Sequence, residues 1–567
     1  MASELPADGG GSTLEGAPRL VVSTSQASFG GGDSRRSAAY TGAQVVIEDS
    51  DEEGLPGDGR RRKWFTFKKL SAYLGPGFLM SIAYVDPGNL ESDLQAGATT
   101  ACSLLWLLLL STLMGFVLQM LAARLGIATG WDLAEHCRNE YHWLPRYVLW
   151  VQTEIAIIGS DIQEVIGSAI ALNILSFGHI PLWAGVVITT LDCFIFLYVE
   201  RTGIRKLELL FAIFIGVMVG TFGWMFAIVG PSSVEIASGL FIPTLDSTNI
   251  HQAVALLGAL IMPHNLFLHS SLVHSRHINY RRPEKVKEAA AFFAIEGALA
   301  LAVTLVINIF VIAVFAAGFY GKSTQEEIGL GNAGNYLRDR FGVSVMVIWA
   351  LGLLAAGQSS TMTGTYTGQF VMCGFLDLQI KPWQRTFVTR GIALLPTILV
   401  ALLCRDPTAL DTFTQALNVL QSVQLPFALI PLLSFTSSKR IMGHMVNSAG
   451  MQALSWGIAA VCMAINGYLV ISQLENLPTS LAFRAVFYTF IACYLFFVAY
   501  LVIGPTGVRH VQRSLSLADV QSPVPASWLT RGAANKFDLH GRPGRGDAVA
   551  DSSASASQPL LADQRDD

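Results

Sequence analysis

The chain has 567 residues, of which 52% are hydrophobic and only 14% charged, and its mean hydropathy is +0.47. That balance excludes a soluble enzyme and predicts an all-α polytopic membrane protein. The net charge of −4 averages polar tails against apolar spans, and the seven cysteines show no CxxC spacing, so neither a disulfide framework nor a zinc ribbon is expected.

The chain opens on the polar stretch MASELPADGGG, which lacks the features of a cleavable signal. Residues 1–64 are expected to form a disordered cytosolic tail, rich in Gly and Ser with an acidic run from Glu48 to Glu53. Arg60 to Lys63 and Lys68-Lys69 abut the first apolar run and put the N-terminus in the cytosol. Apolar runs of roughly twenty residues then recur near 70–94, 102–122, 147–171, 180–199, 207–230, 251–273, 288–318, 343–372, 386–404, 412–436, 450–472 and 484–505, giving about twelve helices. Basic residues follow the second run (Arg124, Arg138, Arg146), the fourth (Arg201, Arg205, Lys206) and the sixth (Arg276, Arg281, Arg282, Lys285, Lys287). The alternate connections are nearly uncharged, acidic or mixed, so both termini are expected on the cytosolic side.

Two of these runs are broken. In SIAYVDPGNLESDLQ, Asp86 sits near the middle of the first span, where a carboxylate in hydrocarbon costs at least ~2.5–3.5 kcal/mol. Pro87 has no N–H for the Ala83 carbonyl, and Gly88 lets the backbone leave helical geometry. In the sixth span Pro263 removes the donor for the Ala259 carbonyl, and Met262 lies on the same face as Ala259. Both carbonyls are expected to be open. Helices 1 and 6 enter from opposite sides, which suits two inverted five-helix repeats with the site at the midplane. The repeats are predicted over 65–230 and 231–437, two extra helices over 438–505, and a disordered cytosolic tail over 506–567.

A site built from Asp86, Asn89, Met262 and the carbonyls of Ala83 and Ala259 combines one hard charged oxygen, neutral oxygens and a soft sulfur. Mg²⁺ and Ca²⁺ take all-oxygen shells, so this set fits Mn²⁺, Fe²⁺ or Cd²⁺ better. One carboxylate among neutral ligands also binds without trapping. The bland alternative is a pair of proline kinks with Met262 as core filler. Helix 3 carries Glu154, Asp161 and Glu164 on roughly one side, a proton-relay pattern or else a static ion-pair network, with Arg390 of helix 9 as a candidate partner. His264 and His269 titrate near neutral pH and are further proton-pathway candidates, although a spacing of five turns them to different faces. Gln421 in helix 10 is a candidate amide ligand, or an interhelical hydrogen-bonding group like Gln424. The small and hydroxyl residues of GQSSTMTGTYTGQF, 357–370, fit tight helix packing better than a substrate site.

DPGN at 86–89, MPHN at 262–265, SDIQEVIGSA at 160–169 and GQSSTMTGTYTGQF at 357–370 together resemble the natural-resistance-associated macrophage protein (NRAMP) family of proton-coupled divalent-metal transporters, over about residues 65–505. The resemblance implies a LeuT-like fold and a metal site of Asp86, Asn89, Met262 and the Ala83 and Ala259 carbonyls, with Gln421 as supplementary ligand. It implies proton-pathway positions at Asp161, Glu164, His264 and Arg390, with Glu154 a weaker match. IGLGNAGNYL and VQLPFALIPLL look most like plant vacuolar members, whereas ESDLQ looks animal-like. A vacuolar or endosomal membrane is therefore favoured over the plasma membrane. The expected cargo is Mn²⁺ or Fe²⁺ with H⁺, with no resident cofactor, no Walker loop for ATP coupling and no nucleic-acid partner. Leu560-Leu561 is a candidate contact for sorting machinery, although Ala556 stands where an acidic residue is usual. The rival functions are an amino-acid carrier of the same fold and a transport-dead metal sensor.

Overall fold

The computed structural model describes residues 66–516 except 201–203, 247–248, 277, 280–281, 322–327, 378–381, 404–406 and 475–480, and describes only the backbone of some further helical residues. The predicted tail 1–64, the basic run Arg60 to Lys63 and the Leu560-Leu561 pair lie outside the described residues.

Among the described residues the architecture is helical. It begins with α1 (Phe67–Tyr73), α2 (Pro76–Ile82), α3 (Pro87–Thr100), α4 (Leu105–Thr129), α5 (Leu133–Glu140), α6 (Trp143–Leu175), α7 (Leu182–Glu200) and α8 (Ile204–Val229). It continues with α9 (Ser233–Phe241), α10 (Ile250–Leu260), α11 (Pro263–Leu272), α12 (Pro283–Phe319), α13 (Leu330–Phe341) and α14 (Val343–Leu376). The last helices are α15 (Pro382–Leu403), α16 (Pro407–Thr436), α17 (Lys439–Met442), α18 (Ala449–Leu474) and α19 (Leu481–Ser516), the last interrupted at Gly504, where φ is 72°. Residues up to Thr506 form one unit, and from Gly507 the described backbone is helical as far as Ser516.

Every predicted apolar run is helical, and two are split, the first into α2 and α3 and the sixth into α10 and α11. Nine segments of the described residues are long and apolar enough to cross a membrane, the α10–α11 pair counting as one. The divided first run, α7, apolar over Leu182–Asp192 of its described length, and α15 are not among the nine. The short helices α5, α9, α13 and α17 lie in connections where no helix was expected, and α1 takes up the start of the first predicted run.

Burial separates a centre from a rim. The apolar window of α6 is 83% buried, whereas that of α19 is 6% buried. The side chains α19 exposes, such as Phe490, Leu495 and Phe496, are apolar, which suits lipid and not water. At the centre α14 runs along α6, and α3 lies on α12. Small residues set these distances. A Cβ on Gly357 would meet Ser168 Oγ, one on Gly167 would lie 2.5 Å from Pro87, and one on Gly364 would lie 2.7 Å from Asp161 Oδ1. The packing role predicted for 357–370 is thus real, but it also brings α14 against acidic groups.

The start of α2 is held by charge. Glu296 of α12 accepts from the backbone N–H of Gly75 and, at 3.0 Å, from that of Gly77, satisfying donors that a helix N-terminus leaves open. Arg276, fully buried, pairs with Glu208 at 2.8 Å and donates to the Leu74 carbonyl. Gly75 adopts φ 144° in this crowded corner, where any side chain would strike the Glu208 carboxylate.

Gly97 of α3 faces α12 so closely that a Cβ would collide with the Ile312 carbonyl oxygen. Gly97→Ala is expected to cost about 1–3 kcal/mol and to lower the melting temperature in detergent. Gly457→Ala, with nothing within 4 Å of the added carbon, should leave the melting temperature near the wild-type value, and equal effects would remove the packing explanation.

Candidate metal site

The first break is built by local chemistry. After Ile82 the chain leaves helix geometry, and Tyr84 and Val85 make only short backbone bonds to Ser81 (3.0 Å) and Ile82 (2.9 Å). Asp86 is extended (φ −70°, ψ 164°) and becomes the N-cap of α3, its carboxylate accepting from the N–H groups of Gly88 and Asn89 at 3.3 Å. Pro87 occupies the first helical position, where no N–H is needed. The second break repeats the device: Ile261 and Met262 are extended and Pro263 opens α11.

These breaks meet. A small cavity, large enough for about one water-sized body, is lined by Ala83 and Asp86 from the first break and by Met262, His264 and Asn265 from the second. Ser160 and Glu164 of α6 and Ser360, Thr363 and Gly364 of α14 close it. Asp86 and Met262 are 1% and 4% exposed, and both line this one buried space. Among the described residues no group of three or more His, Cys, Asp or Glu side chains has the arrangement to hold a metal. The cavity has a different character, with two carboxylates, Asp86 and Glu164, among neutral groups.

Two expectations about its oxygens need correction. The Ala83 carbonyl is not open: Asn89 Nδ2 donates to it at 3.3 Å and also donates to Asp86 Oδ1. A buried carbonyl without a partner is costly, and Asn89, the third residue of α3, is near enough to supply the donor. Asn89 therefore ties Ala83 to Asp86 and is not itself among the lining residues. Ala259 is buried on the last turn of α10 and does not line the cavity. Its neighbour Gly258 has its carbonyl taken by Ser422 Oγ of α16 at 2.9 Å.

Glu164 and His264 line the cavity, with Ser160 Oγ donating to Glu164 Oε1 at 2.9 Å. Asp161 stands beside them against Gly364. Glu154 is farther along α6, half-buried, and accepts from Trp150 Nε1 at 3.1 Å. His269 is turned away from the cavity, its Nδ1 2.9 Å from Gln119 Oε1 of α4, as the spacing of five required. Arg390 lies on α15, and its side chain is outside the described residues. Gln421 does not line the cavity; its Nε2 donates to Gln163 Oε1 of α6 at 2.6 Å.

Sequence reasoning overlooked Asn265 and the hydroxyls of Ser160, Ser360 and Thr363. Asn265 is 1% exposed, and neither its Oδ1 nor its Nδ2 has a hydrogen-bond partner among the described residues. Its signal was present, since it closes the MPHN motif three residues after Met262.

The far end of α11 is anchored outside the spans. Ser271 Oγ donates to Asp132 Oδ2 at 3.1 Å, and the Leu133 N–H donates to Ser270 Oγ at 2.9 Å. Burial, then the charge of Glu135, pushes the Asp132 carboxyl well above the usual carboxylate range. The folded chain holds a proton there that the unfolded chain gives up from about pH 4, so this part of the stability is lost as pH rises through the folded value. Asp132→Asn should therefore flatten the fall in melting temperature between about pH 5 and 8. An unchanged slope would mean that the folded carboxyl is already ionised.

Residues 77–472 match the family model described as natural resistance-associated macrophage protein-like. The chain is 53% identical over 462 residues to metal transporter Nramp3.2 of Populus trichocarpa, covering 81% of this chain and 91% of that protein. It is 52% identical to metal transporter Nramp4 of Arabidopsis thaliana over 80% of this chain and 89% of the relative. A crystal structure of a mutant manganese transporter from Eremococcus coleocola superposes with a TM-score of 0.71 at 31% identity, covering 80% of this chain and 97% of that one. The fold is accordingly LeuT-like, two inverted five-helix repeats followed by two further helices.

Proposed function

Since the chain belongs to the natural resistance-associated macrophage protein family of metal transporters, we propose that it carries Mn²⁺ and Fe²⁺, with Cd²⁺ as a further substrate, into the cytosol together with protons. It is an integral membrane transporter of divalent metal ions and not an enzyme. The observation that carries the finer reading is the convergence of Asp86 and Met262 on one small buried cavity at two helix breaks.

Asp86 supplies the charge that a dication needs, and Met262 supplies a sulfur that Ca²⁺ and Mg²⁺ do not favour. Ala83 and Asn89 support Asp86 through the bonds described above, and either amide or carbonyl oxygen can turn to a metal when the ion displaces that bond. Asn265 is a further oxygen donor on the cavity wall. Ala259 and Gln421 join the shell only if α10 and α16 shift towards it during alternating access. For the proton we assign Glu164, His264 and Asp161, the groups beside the metal, as the first carriers. Glu154, His269 and Arg390 are assigned to the more distant part of the route.

Inward movement is favoured by ~2.3 kcal/mol per charge for each 100 mV of potential, negative on the cytosolic side. We assign the protein to a vacuolar or endosomal membrane with both termini cytosolic, on the basic residues flanking the spans and the segments that resemble plant vacuolar members. The repeats are assigned to 65–230 and 231–437, with sorting machinery as partner for the tails.

Mn²⁺ uptake into proteoliposomes, with internal pH recorded, tests this function. Asp86→Ala should lower uptake about tenfold or more, the loss of a charged ligand, and a wild-type protein that takes up Mn²⁺ without acidifying the lumen would end the symport reading. Met262→Ala should weaken Mn²⁺ uptake and admit Ca²⁺ as a competitor. Continued rejection of Ca²⁺ by that variant would show that the sulfur is not the filter.

A further inference from the structure

Beside the cavity, a ladder of amides joins α6 to α16. Gln163 of α6 is 1% exposed and donates from Nε2 to the Thr414 carbonyl at 2.9 Å and to Asn418 Oδ1 at 2.8 Å. Its Oε1 accepts from Gln421 Nε2 at 2.6 Å. Gln421 is 2% exposed, and its Oε1 has no hydrogen-bond partner among the described residues. Thr414, Asn418 and Gln421 are spaced by four and three, so they share one face of α16.

The polarity of this ladder is fixed by one atom. A backbone carbonyl only accepts, so the end of Gln163 that faces Thr414 has to be its NH₂. The Gln163 oxygen then faces Gln421, which has to answer with its own NH₂ and is left with its oxygen unclaimed. An amide coordinates a cation through oxygen and not through NH₂, so the ladder leaves the ligating end of Gln421 available.

Its location is beside the metal ligands. A Cβ on Gly88 would lie 3.0 Å from both Gln163 Oε1 and Asn418 Oδ1 and 3.2 Å from Asp86 Oδ2, so amide and carboxylate flank one point. Gly159, one turn before Gln163, gives room for the Gln421 stem, whose Cγ would lie 3.7 Å from a Cβ there.

We propose that Gln163 is a positioning residue for metal binding: it presents the Gln421 oxygen to the ion and couples α16 to α6 at the moment the ion is held. This rests on the reading of Asp86 and Met262 as the metal site. Gln163 itself does not touch the metal. It acts by holding Gln421 in one of two amide orientations.

The test is a double-mutant cycle on Mn²⁺ uptake in proteoliposomes, with KM and turnover measured separately. Gln163→Leu should raise KM by roughly two- to tenfold, the worth of about one hydrogen bond, with a smaller change in turnover. In a Gln421→Ala background the same substitution should add nothing to KM. Equal increments in both backgrounds, or a change in turnover alone, would overturn the proposal. Should Gln163→Leu fail to fold, Gln163→Met takes its place, because it keeps the length of the side chain but has neither the oxygen that accepts from Gln421 Nε2 nor the donor for the Thr414 carbonyl. The expected rise in KM and its absence in the Gln421→Ala background are the same, and an unaltered KM would be equally fatal. Uptake that survives Asp86→Ala would defeat the metal-site reading instead, whatever Gln163 does.

Discussion

A peptide carbonyl or N–H in hydrocarbon has no water to turn to, so a helix broken inside the membrane has to find other partners for the groups it releases. The structure answers this demand at both breaks. Asn89 serves the Ala83 carbonyl, Asn308 of α12 donates to the Tyr84 carbonyl at 3.0 Å, and Ser422 of α16 serves Gly258. Each repair is also a crosslink. The first break is bonded to α12 and the second to α16, so the cavity between them has walls fixed by the same bonds that make the breaks tolerable.

Close approach of backbones is the second constraint. Gly357 and Gly364 on α14 and Gly167 on α6 let α14, α6 and the first break come together, and this is what puts Asp161 and Glu164 beside Asp86 in a region with little exposure. Dispersion and small-residue packing drive such contacts in lipid, where there is no hydrophobic force between helices. The polar residues follow from the geometry that the small residues allow. A bulkier α14 would separate the acids from the cavity without altering any ligand.

Two carboxylates line the cavity, Asp86 at the first break and Glu164 of α6, and their companions are neutral. More carboxylates would hold a dication tightly and release it slowly, while none would leave its desolvation unmatched. Amide, hydroxyl, thioether and imidazole groups around Asp86 add donors that exchange readily. Of the lining groups, the Asp86 and Glu164 carboxylates and the His264 imidazole are the ones able to take up and release a proton.

The sequence by itself determined the spans, the two breaks and the buried aspartate at the first of them, because these depend on local rules: apolar run length, a proline without its N–H, an aspartate able to cap the helix that follows it. It also determined that His264 and His269 point apart, a matter of helical angle. Only the tertiary structure decided which polar atoms remain available, since a hydrogen-bond partner comes from whichever helix packs nearby. Hence Ala83 looked open until Asn89 was seen to serve it, Asn265 gave no local hint that it would be without a partner, and the orientation of Gln421 turned on a carbonyl of Thr414 reached through a residue 258 positions away along the chain.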